Sequence, residues 1–229
     1  MQFLSNVHGK KKIRLAIFDV NQTIFNLNEI KRRFKKENIN PILVDQWFVN
    51  ILKEGFASST PEKFLSFTKI AKEELKKLIL LKNKNFQILE FLFNGFKNLK
   101  ANPEIRDSFK ILRKQNIKIV TLTNGPKKNS INLLKKNNLL ELVDYQFSIE
   151  DIKVWKPHPE PYLFVSAELN YHPSEIVMIA VHGWDINGAK KVGMKTGYIK
   201  KYEKTLSSYY DKADFEAENC KELVLKIIS

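Results

Sequence analysis

Short apolar runs alternate along this chain with longer stretches in which apolar residues recur every three or four positions. The short runs predict β-strands, and the longer stretches predict amphipathic helices. Strands that are separated by helices in this way are typical of βαβ units in a parallel sheet. The pattern therefore predicts an α/β fold with a Rossmann-like parallel sheet core. Its predicted strands span residues 13–18, 117–122, 145–148, 176–181, 196–199 and 215–217.

A long interval without a strand pattern separates the first two predicted strands. Its apolar positions follow helical spacing, with charged residues on the opposite faces. We therefore predict an inserted all-helical cap domain at residues 27–98 and a core domain formed by residues 1–26 and 99–229. A further helical pattern at residues 88–96 fits either a buried helix or the surface of a homodimer. The other predicted cap helices span residues 29–37, 41–56, 61–68 and 71–81.

The composition fits a globular protein in a reducing compartment. The chain has 229 residues, 43% of them hydrophobic, which is enough for a core domain with a smaller inserted one. Its one cysteine, Cys220, cannot form an internal disulfide, so we expect a cytoplasmic protein. Residues 1–12 lack the apolar core of a secretion signal, and no apolar stretch approaches the roughly 20 residues that span a bilayer. We expect no membrane partner.

The formal charge of +14 raises the question of a polyanionic partner. The basic residues are spread along the whole chain, and aromatic residues are not interleaved with them as stacking platforms. We therefore expect no nucleic-acid partner. A generally positive field would still favour a small anionic substrate.

Polar residues follow four of the predicted strands. Each group by itself is as well explained by a helix cap or a turn. Because the carboxyl ends of parallel strands meet at one edge of a sheet, however, these groups should converge there. In chain order they are Asp19 with Thr23, Thr123-Asn124-Gly125, Lys156-Pro157 with Tyr162, and His182-Gly183-Trp184-Asp185.

In this order, and with a helical insert after the first, these groups resemble the motifs of the haloacid dehalogenase superfamily. The pattern is most similar to the type II L-2-haloacid dehalogenase subfamily, and the resemblance covers nearly the whole chain. That subfamily has an Asp followed by a Gly-Thr turn, then Ser/Thr-Asn-Gly, Lys-Pro-x-Pro, and Trp-Asp leading into Gly-Ala. The corresponding residues here are Asp19 to Thr23, Thr123-Asn124-Gly125, Lys156-Pro157-His158-Pro159, Trp184-Asp185 and Gly188-Ala189.

The resemblance implies a hydrolase with an aspartate nucleophile. Asp19 would attack the substrate and form a covalent aspartyl ester, which water then opens. Lys156 would keep the Asp19 carboxylate ionised and stabilise developing charge. Asp185 would hold Lys156 or the hydrolytic water. These three residues are the expected catalytic groups.

The resemblance also implies a set of substrate-binding residues. Thr23 would orient the nucleophile, while Thr123 and Asn124 would donate hydrogen bonds to a substrate carboxylate or phosphate. Tyr162 would either pin the Lys156 loop or border the substrate pocket. From the cap, Trp47 is expected to border the substrate.

Two positions depart from the phosphatases of the superfamily. Asn21 stands where they have the Asp that protonates the leaving group, and an amide cannot act as a general acid. Val181 stands where they have a further metal-binding acid. We therefore expect no metal and no cofactor; if Mg²⁺ did bind, its ligands would be Asp19, Asn21 and Asp185.

Other positions depart from the dehalogenases. Gln22 replaces a Gly, and the cap arginine that receives halide has no counterpart, although Lys53 is nearby. The role of His182 stays open. Three functions are ranked in this order: a metal-independent (S)-2-haloacid dehalogenase acting on small 2-substituted carboxylates, a phosphatase of a small phosphorylated metabolite, and a catalytically weakened binding or regulatory protein. Mg²⁺ belongs only to the second.

Overall fold

The computed structural model describes residues 12–58 and 64–229. Within them, six strands form one parallel sheet in the order β5-β4-β1-β6-β7-β8, and β2 and β3 form a short antiparallel pair. The predicted α/β fold with a Rossmann-like sheet is confirmed, and each predicted strand agrees to within two residues. In chain order the strands are β1 Leu15–Phe18, β2 Phe25–Asn26, β3 Lys100–Ala101, β4 Lys118–Thr123, β5 Tyr145–Ser148, β6 Ile176–Ala180, β7 Lys195–Ile199 and β8 Phe215–Ala217.

Strand β1 lies at the centre of the sheet, between β4 and β6. All four of its side chains are fully buried, because helices cover both faces of the sheet. This burial explains why the strand is an unbroken apolar run without alternation. At the edge of the sheet, Tyr145 and Gln146 of β5 are partly exposed to solvent. The chain that follows β1 therefore leaves the sheet at its centre, between β4 and β6.

The helices of the described residues fall into two groups. Those between β2 and β3 cover the segment predicted as the cap, and those after β3 pack on the sheet. None of the helices in the described ranges has the length and apolar character that crossing a bilayer requires. In chain order the helices are α1 Asn28–Lys36, α2 Leu43–Ala57, α3 Phe67–Leu81, α4 Leu89–Phe93, α5 Ile105–Lys114, α6 Lys127–Lys136, α7 Pro159–Glu168, α8 Gly183–Lys191 and α9 Cys220–Ile228.

Two of the predicted cap helices need correction. The predictions at 61–68 and 71–81 belong to one helix, α3, which begins at Phe67 because the Ser66 hydroxyl accepts a hydrogen bond from the Lys69 amide. Residues 64–66 are not helical, and residues 61–63 lie outside the described ranges.

The predicted helix at 88–96 is shorter than its apolar pattern suggests. Only Leu89–Phe93 is α-helical, and 3₁₀ turns flank it at Phe86–Ile88 and Asn94–Asn98. The second 3₁₀ turn packs closely on α1, since a Cβ at Gly95 would lie 2.7 Å from Cγ1 of Ile30.

The β2–β3 pair was not predicted from the sequence, because two-residue strands are too short to show alternation. It joins the two chain segments that connect the core to the helical insert. Asn102, just after β3, donates hydrogen bonds to the backbone oxygens of Gln22 and Thr23. The return from the insert is thereby bonded to the turn that follows Asp19.

A tryptophan from the core anchors the helical insert. Trp155 is 1% exposed, its ring stacks on Phe67 at 6.2 Å, and its Nε1 donates to the Leu65 oxygen at 2.9 Å. Helix α2 approaches the same ring at Gly55, where a Cβ would lie 2.5 Å from Cε3 of Trp155. Glycine is required here by this close approach.

Gly55→Ala should therefore destabilise the fold by about 1–3 kcal/mol, the usual cost of overpacking. Helix propensity alone favours alanine by up to about 1 kcal/mol, so it predicts the opposite sign. Urea unfolding measures the difference, with Val49→Ala at an exposed site of α2 as the control. A variant as stable as the wild type would contradict the packing described for Trp155.

Candidate active site

The site is built around Asp19, which leaves β1 at the carboxyl end of the sheet. Its amide donates to the Ile179 oxygen of β6 at 3.1 Å, so the backbone is still tied to the neighbouring strand. The residue is 5% exposed. Its carboxylate is therefore held at the lip of the sheet with little freedom to move.

Lys156 joins Asp19 to a second carboxylate. Its ammonium lies 3.1 Å from Oδ1 of Asp19 and 2.6 Å from Oδ2 of Asp185, and its side chain is fully buried. The ring of Trp184 lies 5.5 Å from the same ammonium. A buried charge needs such partners, because without them desolvation would neutralise it. The structure thus brings together the three residues predicted to be catalytic.

Tyr162 completes the bonding of Asp185. Its hydroxyl donates to Oδ1 of Asp185 at 2.5 Å and is fully buried. Burial and then the Asp185 charge raise the pKa of Tyr162 well above its ordinary value, so the phenol keeps its proton and remains a donor. Of its two predicted roles, the geometry matches the pinning of the Lys156 group rather than a position bordering substrate.

The Asp19 carboxyl is held in its ionised form. Burial by itself would raise its pKa, but the Lys156 ammonium, followed by His182 and the Thr23 hydroxyl, holds the pKa well below its usual range. A carboxyl whose pKa is depressed by folding stabilises the fold above its unfolded pKa of about 3.9, and this stabilisation is lost as the pH falls.

Burial also shifts the pKa values of the other two charged groups of the cluster. Burial by itself would lower the pKa of Lys156, but the Asp185 and Asp19 carboxylates raise that pKa overall. It also raises the pKa of Asp185, an effect that Lys156 opposes. Lys156 therefore remains a fixed cation beside Asp19.

Two threonines are predicted to bind or orient the substrate, and the hydrogen bonds of both are compatible with these roles. The Thr23 hydroxyl donates to Oδ2 of Asp19 at 2.8 Å and accepts from the Val181 amide at 3.2 Å, which is the geometry of an orienting residue. The Thr123 hydroxyl oxygen accepts from the Gly125 amide at 2.9 Å. Its proton remains available to a substrate.

Asn124 has a different contact from the predicted one. Its Oδ1 accepts from the Lys156 amide at 3.0 Å, and its Nδ2 donates to the Lys156 oxygen at 3.2 Å. The side-chain amide thus clamps the Lys156 backbone with one of its two N–H groups, and the role of Asn124 in substrate binding stays a prediction. Its backbone still contributes to the turn before α6.

Trp47 also needs correction. Its indole is 1% exposed inside the helical insert, and its Nε1 donates to the Ala71 oxygen at 3.0 Å. The ring packs on Phe34 and Phe96. Trp47 therefore supports the wall of the site from behind and does not border substrate.

His182, whose role the sequence left open, lies against the nucleophile. Its Nδ1 is 3.4 Å from Oδ2 of Asp19, and its Nε2 is 2.8 Å from Oε1 of Gln22. Apart from that long contact, Nδ1 has no hydrogen-bond partner among the described residues. The ring is stacked between Phe48 and Trp184. One nitrogen is therefore fixed and the other faces the reacting carboxylate.

Gln22 adopts the backbone conformation that a glycine would favour at this position, with φ of 66°. The turn is held by a bond from the Gln22 amide to the Phe25 oxygen at 2.7 Å and by Asn102. Its side chain is the partner of His182. Gln22, which departs from the family pattern, and His182, whose role was open, thus form one contact, a pairing that two widely separated sequence positions could not reveal.

Two cavities flank the Asp19 turn. We name them the Asn21 cavity, of about 580 Å³, and the His182 cavity, of about 520 Å³. The first lies between the helical insert and α6, and the second lies against α2. The Asn21 cavity is lined by residues that include Asn21, Phe67, Lys72, Phe96, Lys97, Thr123, Lys128 and Ser130, and the His182 cavity by residues that include Gln22, Phe48, Phe56, His182 and Trp184.

The residues present do not fit a magnesium ion. Both oxygens of Asp185 are bonded to Lys156 and Tyr162, and a neutral amide stands at Asn21. Within residues 12–58 and 64–229, no group of three His, Cys, Asp or Glu side chains is placed to hold a metal. Magnesium prefers several carboxylate or water oxygens in an octahedral array, and this cluster instead surrounds an ammonium.

Comparison with known proteins agrees with the motifs. Residues 16–199 match the family of haloacid dehalogenase-like hydrolases, so the chain belongs to that family. (S)-2-haloacid dehalogenase 1 of Pseudomonas sp. (strain CBS-3) is 25% identical over 84% of this chain and 86% of that protein. Pyrophosphatase PpaX of Bacillus cereus (strain Q1) is 25% identical over 93% and 95%.

The fold also matches solved structures. The L-2-haloacid dehalogenase from Xanthobacter autotrophicus, with chloropropionic acid covalently bound, superposes with a TM-score of 0.85 at 18% identity. The match covers 95% of this chain and 99% of that one. This similarity supports the fold, and the family match over residues 16–199 confirms the predicted superfamily and the hydrolase class.

Lys156→Met should raise the pKa of Asp19, because the main group that lowers it is removed while burial, which raises it, remains. NMR titration of ¹³C-labelled aspartate carboxyls measures this pKa. In the wild type, Asp19 should stay ionised well below the ordinary value of about 3.9, and in the variant it should titrate above that value. The exposed Lys191→Met is the matched control. An Asp19 that stays ionised at acid pH in Lys156→Met would contradict the assigned cause.

Proposed function

We propose that the chain is a metal-independent (S)-2-haloacid dehalogenase that acts on small 2-substituted carboxylates, with Asp19, Lys156 and Asp185 as its catalytic residues. The observation that carries this proposal is the buried contact of 3.1 Å between Lys156 Nζ and Asp19 Oδ1, beside a position where Asn21 replaces a general acid. A carboxylate that stays ionised is a nucleophile. Because Asn21 cannot donate a proton, the site suits a leaving group that needs no proton.

In the first step, an oxygen of Asp19 attacks C2 of the substrate, and the carbon–halogen bond breaks as halide leaves with the electron pair. A covalent aspartyl ester results. The Thr123 hydroxyl and the amides at the start of α6, which have no side-chain cap, would hold the substrate carboxylate. Lys156 offsets the negative charge around the reacting atoms.

In the second step, water adds to Cγ of Asp19 in the ester. In the ester, Asp19 no longer presents an anion to His182, so Nδ1 does not need to carry a proton. With Nε2–H donated to Gln22 Oε1, Nδ1 is then placed to accept the proton of this water. The tetrahedral intermediate then breaks its bond between Cγ and the oxygen on C2. The 2-hydroxy acid leaves with the proton returned by His182. The second proton of the water stays on the Asp19 carboxyl and is released to solvent, which regenerates the ionised nucleophile.

The second candidate is a phosphatase. It is favoured by the similarity to pyrophosphatase PpaX, which covers more of this chain than the dehalogenase match does. It is opposed by Asn21 and by the saturated bonding of Asp185. A binding or regulatory protein without turnover is the third candidate.

Other properties complete the proposal. We propose the domain division that the sequence predicts, with a cap at 27–98 and a core at 1–26 and 99–229. We propose that a cytoplasmic location accounts for the single free cysteine, and that no nucleic acid takes part. Exposed apolar side chains on the cap helices and the loop before α2 are candidates for a homodimer surface; they are Ile42, Leu80 and Leu81.

Asp19→Asn should abolish halide release from L-2-chloropropionate, because an amide is a poor nucleophile, while the fold is kept. Halide release is measured with Mg²⁺ and with EDTA, and Asp211→Asn at an exposed site is the control. We expect wild-type turnover to be equal in both solutions. Absence of halide release together with Mg²⁺-dependent phosphate release would support the phosphatase instead.

His182→Phe should stall the reaction at the ester, because the ring stack is kept but the proton acceptor is lost. We expect a burst of about one halide per site, then turnover reduced roughly 100-fold or more. Mass spectrometry of the intact chain should detect the adduct on Asp19. If burst and turnover fall equally and no adduct accumulates, His182 does not act in the second step.

A further inference from the structure

The backbone of Gln22 has a conformation that suits glycine better than glutamine. Its φ of 66° lies in the left-handed region, where a residue with a side chain is strained. The hydrogen bonds that hold this turn, to the Phe25 oxygen and from the Asn102 side chain, use only the backbone of Gln22. A glycine would form both of them. The turn therefore does not account for the side chain at this position.

The Gln22 side chain is buried against His182. The residue is 8% exposed, and its Oε1 lies 2.8 Å from Nε2 of His182. An amide oxygen can only accept a hydrogen bond, so the proton of this contact belongs to Nε2. Backbone strain that persists beside a reacting group is commonly part of the function. The contact with His182 is therefore the reason that we look for at this position.

Stacking alone does not decide which nitrogen of His182 carries a proton. The rings of Phe48 and Trp184 lie 6.1 and 5.2 Å from the His182 ring and pack on its faces. Neither of these side chains has a hydrogen-bond acceptor. In a neutral imidazole, the hydrogen bond made at one nitrogen fixes the protonation of the other. The choice is left to the groups at the edge of the ring.

Two groups meet that edge, and only one of them acts throughout the reaction. Among the described residues, the carboxylate in contact with His182 is that of Asp19, whose Oδ2 lies 3.4 Å from Nδ1. In the ester this side chain carries no charge and no longer attracts a proton to Nδ1. Gln22 Oε1 remains at Nε2. The tautomer that the second step needs, with Nδ1 unprotonated, thus depends on Gln22.

We propose that Gln22 is a positioning residue for the second step, and that its side chain sets the tautomer of His182 once the ester has formed. This inference rests on the proposed dehalogenase function, with His182 as the proton acceptor. Gln22 touches neither the substrate nor the attacked carbon, and it acts only through His182. The residue that best suits the backbone at this position is then not the residue that best suits the reaction.

Three substitutions separate the side-chain contact from the backbone. Gln22→Gly removes both the strain and the acceptor, Gln22→Met removes only the acceptor, and Gln22→Glu keeps an acceptor at the same length. With L-2-chloropropionate, the glycine and methionine variants should keep a burst of about one halide per site. Their steady turnover should fall by about tenfold or more, because the proton acceptor is then partly in the wrong tautomer. Gln22→Glu should keep most of the wild-type turnover.

Asn170→Gly is the matched control, because it makes the same backbone change at another left-handed residue, which is exposed and follows α7. Its burst and turnover should equal those of the wild type. Wild-type turnover in Gln22→Gly or in Gln22→Met would overturn the proposal. A fall of the burst and the turnover by the same factor in both variants would show a general structural role, and would also overturn it.

The tautomer itself can be measured without turnover. Asp19→Asn places an uncharged side chain beside His182, as the ester does, and ¹⁵N NMR of the histidine rings then reports which nitrogen is protonated. The His182 signals are those lost when His182→Phe is added. We expect a protonated Nε2 and a bare Nδ1, and we expect adding Gln22→Met to shift the population toward protonated Nδ1.

Failure of the dehalogenase function is distinguishable from failure of this inference. A chain that releases no halide would refute the proposed function, and the nitrogen signals would still decide the role of Gln22. A protonated Nδ1 in Asp19→Asn, or ring signals that Gln22→Met leaves unchanged, would overturn the role assigned to Gln22 whatever the turnover.

Discussion

The buried ammonium of Lys156 is the group on which the rest of the site depends. It lies between the Asp19 and Asp185 carboxylates, and neither of these charges would be stable at such depth without it. Removing one partner of a buried ion pair typically costs about 3–5 kcal/mol, because the remaining charges stay uncompensated. The surrounding polar groups serve the same cluster. Asn124 fixes the Lys156 backbone, and Tyr162 satisfies the second oxygen of Asp185.

The sequence predicts the sheet and most of the site for one physical reason. Residues that follow parallel strands must meet at one edge, so Asp19, Lys156 and Asp185 could be expected together before any coordinates were known. Contacts between helices of the insert leave no comparable pattern in the sequence. Trp47 has a side chain suited to binding, and only packing and hydrogen bonding in three dimensions reveal that Ala71, Phe34 and Phe96 already contact it.

Gln22, a departure from the family pattern, is related in the fold to His182, whose role the sequence left open. Each is unexpected when considered singly, since a left-handed residue is usually glycine and a histidine near a strand end is often structural. In the fold they share a hydrogen bond of 2.8 Å directly beside Asp19. A change at one position therefore alters the environment of the other. The family motifs indicate the chemistry of the site, and this pair adds a contact that the motifs do not include.

The short β2–β3 ribbon has a mechanical consequence. Both segments that connect the helical insert to the core pass through it side by side. Asn102, at the end of that ribbon, is bonded to the backbone oxygens of Gln22 and Thr23 and to the Lys201 ammonium. The outgoing and returning segments are therefore held to each other and to the turn that positions the nucleophile. A substitution at Asn102 would act on the attacking carboxylate through the backbone, without a change in the pocket lining.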